Sequence, residues 1–106
     1  MCGIVGIYSA REDLAECYGS RVESALKKIA HRGPDHQGVY VDDKTILGHA
    51  RLSIIDLTNA GNQPMETHDK HHVVTYNGEI YNCSDLKRDV YVSGYEYQST
   101  TDTEVL

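Results

Sequence analysis

MCGIVGIY (residues 1–8) is the stretch on which the fold reading turns, because a cysteine stands directly behind the initiator methionine at the mouth of a Gly/Ile/Val run. GIVGIY (3–8) is a short apolar run of strand type, and its two glycines suggest close approach of other backbone or of a ligand. On that reading Cys2 is a small hydrophobe that opens a buried strand. The other reading is chemical. Removal of Met1 makes Cys2 the N-terminus, and one residue then carries both a thiol and a free α-amine, a nucleophile together with a base. The position itself leaves both open.

Outward from that strand the pattern is mixed. From Leu14 to Ala30 the apolar residues Tyr18, Val22, Ala25, Leu26, Ile29 and Ala30 recur at helical spacing. Lys27, Lys28 and His31 suit the negative pole of that helix, and Gly33-Pro34 stops it. VYV (39–41) and TILGHARLSII (45–55), joined through Asp42-Asp43-Lys44, read as an antiparallel pair. DLTNAGNQPM (56–65) reads as a loop. HHVVTY (71–76) and EIYN (79–82), flanking Asn77-Gly78, predict a second hairpin, since Asn-Gly is the strongest two-residue hairpin signal. A short helix is expected from Asp85 to about Val92, capped by Asn82 or Ser84 and ended by Gly94. YEYQS (95–99) reads as a further strand. Thr101-Asp102-Thr103-Glu104 has capping-box spacing and predicts a helix start. Strands joined as hairpins with helices between them make an α+β chain with antiparallel sheet, not an alternating βαβ one.

Composition narrows the function class. At 106 residues the chain suits one small domain, and a net charge of −6 argues against nucleic acid or an anionic membrane as the partner. No apolar run approaches membrane-spanning length and no tripartite leader is read at the start, so a cytoplasmic protein is expected. Cys2, Cys17 and Cys83 form neither a CxxC pair nor an even set, which points to free thiols rather than a disulfide scaffold or zinc site. His68, Asp69, His71 and His72 sit in a polar loop and read as solvated surface rather than metal ligands.

Five stretches then line up in order: MCGIVGIY (1–8), HRGPDHQG (31–38), GHARLSIIDL (48–57), YNGEIYN (76–82) and TDTEVL (101–106). Together they resemble the glutamine-hydrolysing domain of the asparagine synthetase family, a class II, N-terminal-nucleophile glutamine amidotransferase. HRGPD in particular is similar to the asparagine synthetase branch. The resemblance implies an αββα sandwich of antiparallel sheets. Residues 1–106 are then expected to be the N-terminal, C-terminally truncated part of that domain, with the synthetase domain absent.

The resemblance also implies roles. Cys2 is the nucleophile that forms a γ-glutamyl thioester and releases ammonia from L-glutamine. Asn77 and Gly78 supply the oxyanion hole through a side-chain amide and a backbone N–H. Arg51 forks onto the α-carboxylate of glutamine, where the residues alone suggest only a strand-end arginine reaching solvent. Leu52, Ser53, Ile54 and Ile55 line the same pocket, Glu79 helps hold the substrate, and Asp102 binds the α-amino group. HRGPD is a structural signature with no chemical step. Glutamine hydrolysis needs no cofactor or metal, while ATP and Mg are implied only for the missing synthetase domain. The implied partners are L-glutamine and a synthetase domain of the same longer chain, with a homodimer through exposed sheet edges as a further one. The alternative from a different class is a non-catalytic module that binds glutamine weakly or only self-associates.

Overall fold

A computed structural model describes residues 1–10 and 14–106. Strand β1 (Gly3–Tyr8) leads to helix α1 (Leu14–Ile29) and a 3-10 turn (Ala30–Arg32). Strands β2 (His36–Val41) and β3 (Thr45–Arg51) follow, and the antiparallel sheet has the order β1-β3-β2. Its register places Gly3 opposite Ala50 and His36 opposite Arg51. The β2–β3 turn is closed by Asp42, whose Oδ1 accepts from the backbone N–H of Lys44 and of Thr45, each at 2.7 Å.

Alternation along β3 divides its side chains between two layers. Ile46 and Ala50 are fully buried with Leu14, Val22 and Leu26 of α1, and Val5, Ile7 and Ile29 pack around them. This is the core, and burying Val22 and Leu26 one turn apart is what fixes α1 on the sheet. Tyr18, expected on the same stripe, lies outside with the Arg21 guanidinium over its ring. Gly3 makes room for Ile29, as a strand glycine at a close approach should, whereas Gly6 has only ordinary contacts.

Leu47, His49 and Arg51 face the other way, toward a second layer. Strands β4 (Met65–Glu66) and β5 (Val73–Val74) pair antiparallel through the turn between them. The flanks of this pair cover the first sheet. Gly38 of β2 lies under the Gln63 carbonyl, where a β-carbon would sit 2.2 Å from the oxygen, and His49 Nε2 meets the Tyr76 carbonyl at 3.3 Å. Helix, three-stranded sheet and second sheet thus stack in an α+β arrangement with antiparallel sheets.

Five local expectations are corrected. Strand β3 ends at Arg51, not Ile55, because the Ser53 N–H turns to Asp35 Oδ2 at 2.7 Å. Asn77-Gly78 is not a hairpin turn: β5 pairs with β4, and the Tyr76 N–H is taken by Gln63 Oε1 at 2.6 Å. Residues 95–99 form no strand, since the N–H groups of Gln98 and Ser99 both go to the Glu104 carboxylate at 2.7 Å. Glu104 is thereby withdrawn from the expected capping box, and Thr103–Val105 forms only a 3-10 turn. Helix α2 (Cys83–Val92) begins two residues early, with Asn82 offering its carbonyl rather than its side chain. Gly94 ends it with φ of +90°, a left-handed conformation natural to glycine. No helix among the described residues is long and apolar enough to cross a membrane.

Candidate active site

The start of β1 and the end of β3 lie side by side, so Cys2 falls next to the Arg51–Leu52 peptide. The Leu52 N–H points at Cys2 Sγ from 3.4 Å and the Leu52 carbonyl lies 3.8 Å from it. Arg32 Nε donates to the Cys2 carbonyl at 3.1 Å. The Asp35 N–H donates to the Arg51 carbonyl at 3.0 Å. Gly33 is pressed against the same strand, where a β-carbon would sit 2.2 Å from the Ala50 oxygen. The HRGPD stretch is therefore a clamp on the two strand ends that carry Cys2 and Arg51.

Cys2 opens onto a cavity of about 410 Å³, within the size range of small-molecule sites. Arg51, Leu52, Ile54, Ile55, Asn77, Gly78, Glu79 and Asp102 all line it. Ser53 does not; its backbone is committed to Asp35. Ile54 and Ile55 stand at the rim, 73% and 56% exposed, instead of being packed within.

Arg51 is the last residue of β3, as expected of a strand-end arginine, but its side chain is buried instead of reaching solvent. Its Nη1 donates to the Thr58 carbonyl at 2.7 Å and to Asn62 Oδ1 at 2.8 Å, and its Nη2 donates to the Asp56 carbonyl. A guanidinium has five N–H groups, so these three bonds leave Nε–H and one Nη2–H, the side-on fork that suits a carboxylate. Asp102 is also buried, and its Oδ2 accepts from the Ile80 N–H at 2.9 Å. That bond draws the Asn77–Glu79 segment toward Asp102.

Residues outside the expected set hold this arrangement. Asp56 Oδ1 accepts from the Thr58 N–H at 2.8 Å and hydroxyl at 2.6 Å, and its Oδ2 accepts from the Thr100 N–H at 2.8 Å and hydroxyl at 3.0 Å. The Thr58 hydroxyl, then the other donors, hold its carboxyl well below the usual range. Gln63 joins Tyr76 to Thr103. Asp56-x-Thr58 is legible as an Asx-type turn, but nothing local announces the reach to Thr100. Burial holds His49 below the ordinary imidazole value, and its Nδ1 is buried without a partner. His68 stacks on Tyr95, and among the described residues no group of three or more His, Cys, Asp or Glu could hold a metal. Cys2, Cys17 and Cys83 are free thiols.

The sequence profile of the family described as "Glutamine amidotransferase domain" matches residues 1–106. The chain belongs to the glutamine amidotransferase domain family. Among curated relatives, it is 42% identical over its whole length to asparagine synthetase B [glutamine-hydrolyzing] of Escherichia coli, covering 19% of that protein. It is 38% identical to asparagine synthetase [glutamine-hydrolyzing] 1 of Bacillus subtilis and 40% identical to that of Zea mays, covering 17% of each. The chain thus spans less than a fifth of the length of these relatives. The family resemblance read from the five stretches is borne out across the chain, and these relatives are the amidotransferase-bearing synthetases it pointed to.

Proposed function

We propose that this glutamine amidotransferase domain hydrolyses L-glutamine through Cys2. With Met1 removed, the Cys2 α-amine, of ordinary pKa about 8, takes the thiol proton, and the thiolate attacks the side-chain carbonyl carbon of glutamine. The resulting oxyanion is held by the Asn77 side-chain amide and the Gly78 N–H, a contribution of about 3–4 kcal/mol for a well-placed donor. Collapse breaks the C–N bond, the ammonium proton goes to the leaving nitrogen, and ammonia departs. Water then cleaves the γ-glutamyl thioester, giving glutamate and the free thiol. Arg51 holds the α-carboxylate, and Asp102 with Glu79 the α-ammonium, so that free glutamine is chosen over glutamine in a peptide. No cofactor enters these steps.

The observation that carries this reading is the convergence of Cys2, Arg51, Asn77, Gly78, Glu79 and Asp102 on one cavity. The relatives' names, asparagine synthetases described as glutamine-hydrolyzing, support an extension of the proposal: the ammonia serves a synthetase domain of a longer chain. For that domain the family resemblance implies ATP and Mg, and we place the whole protein in the cytoplasm. The test is release of glutamate and ammonia by purified protein whose N-terminal mass shows Cys2 first. Loss of release in Cys2→Ala is the expected result, and equal release by that variant contradicts the proposal.

A further inference from the structure

We infer that Gln63 is a positioning residue that sets the Asn77–Gly78 oxyanion donors against the Asp102 carboxylate. This rests on the glutaminase reading and assigns a role that none of the expected site residues covers.

Gln63 is 7% exposed, and both ends of its amide are committed. Its Oε1 accepts from the Tyr76 N–H at 2.6 Å and its Nε2 donates to Thr103 Oγ1 at 3.0 Å. The amide orientation is forced, because an NH₂ group cannot accept from the Tyr76 N–H. Tyr76 is the residue before Asn77, and Thr103 is the residue after Asp102. The Asp102 carboxylate in turn accepts from Ile80, two residues beyond Gly78.

The bonds therefore close a ring: Gln63 to Tyr76, along the chain to Ile80, across to Asp102, along to Thr103, and back to Gln63. Residues 77–79 are a short span tethered at both ends, and both tethers end on the adjacent pair Asp102 and Thr103. His49 Nε2 at the Tyr76 carbonyl anchors the ring to β3. The donors that must meet the oxyanion and the acid that must meet the ammonium thus share one frame. Without Gln63 the Ile80 tether remains, but Tyr76 and the oxyanion donors can shift relative to Cys2. A displacement of about 1 Å in such a site costs on the order of 100-fold in rate.

The test compares two labels on Cys2, read by peptide mapping because Cys17 and Cys83 also carry thiols. A diazoketone analogue of L-glutamine needs both the amino-acid site and the oxyanion donors, whereas iodoacetamide needs only the thiol. In Gln63→Met, labelling by the analogue is expected to slow by about 10- to 100-fold while iodoacetamide labelling stays within about twofold. Gln63→Glu, whose carboxylate accepts from both the Tyr76 N–H and the Thr103 hydroxyl, is expected to recover to within about threefold. Unchanged labelling by the analogue in Gln63→Met overturns the inference, as does equal slowing of both labels. If Gln63→Met does not fold, Thr103→Val severs one end of the bridge, and unchanged labelling by the analogue in that variant overturns the inference too. If the unsubstituted protein resists the analogue but takes iodoacetamide, the glutaminase reading itself fails and this inference falls with it.

Discussion

Gly61 is the most informative single position to change. It closes the 3-10 turn Asn59–Gly61, and a β-carbon there would lie 2.3 Å from Arg51 Nη2 and 2.6 Å from Thr101 Cγ2. Non-bonded heavy atoms settle near about 3.5–4.0 Å, so in Gly61→Ala something must retreat by roughly 1 Å. The guanidinium is the movable party, but it is pinned by the Thr58 carbonyl, Asn62 Oδ1 and the Asp56 carbonyl. Overpacking of this kind costs about 1–3 kcal/mol of stability. The same displacement takes the remaining Arg51 donors away from the α-carboxylate they are proposed to hold. A hydrogen bond to a charged group contributes about 1.5–3 kcal/mol, so KM for glutamine should rise about 10- to 100-fold. The kcat should fall less, because Asn77 and Gly78 belong to another segment. The assay is glutamate release against glutamine concentration, beside chemical denaturation. Gly19→Ala is the control: nothing lies within 4 Å of its added β-carbon, and a helix-interior Gly→Ala change stabilises by about 0.5–1 kcal/mol. A Gly61→Ala protein with unchanged KM and stability would refute the argument.

Three further outcomes follow from the same packing. Gly33→Ala drives a methyl into the Ala50–Arg51 backbone, which cannot swing aside, and should cost about 3 kcal/mol or more in denaturant titration; a loss under about 1 kcal/mol counts against the clamp. Leu26→Ala empties a fully buried site between α1 and β3 and should cost about 2–5 kcal/mol. His49, held below the ordinary value near 6.5 by burial, resists a proton that the unfolded chain accepts. Stability should therefore fall as pH drops from 7 to 5, by at most about 1.4 kcal/mol per pH unit from this group. His49→Gln keeps a donor for the Tyr76 carbonyl and should flatten that slope; identical slopes would assign it to other groups.

What the sequence made legible is what local periodicity controls. β1, α1 and the β2–β3 hairpin carry their own apolar pattern and turn residues and form about the expected centres, although β2 starts at His36 rather than Val39 and β3 stops at Arg51 rather than Ile55. Asn77-Gly78 has the strongest local hairpin signal in the chain, yet its neighbours are claimed from elsewhere: the Tyr76 peptide by Gln63 and His49, and Ile80 by Asp102. The alternating tyrosines of 95–99 suggest a strand, but the Glu104 carboxylate bends that backbone around itself. In each case a hydrogen bond from a side chain outside the segment outweighs the local preference. The site divides the same way. Cys2, Arg51, Asn77, Gly78, Glu79 and Asp102 are named by resemblance, not by spacing, and the fold gathers them on one cavity. Ser53 is left out because Asp35 holds its backbone. Of Asp56 only the local turn onto Thr58 is legible, and of Gln63 nothing, since Thr100 lies 44 residues from Asp56 and Tyr76 and Thr103 lie 13 and 40 residues from Gln63.

The central claim is that the Cys2 thiol attacks glutamine and carries the glutamyl group. Its most direct test is intact-protein mass measured after acid quench of a reaction of protein beginning at Cys2 with L-glutamine. The account predicts a transient gain of one γ-glutamyl group, mapped to Cys2, labile to hydroxylamine and absent in Cys2→Ala. Glutamate release with no such adduct at Cys2, or with the adduct on Cys17 or Cys83, would contradict it.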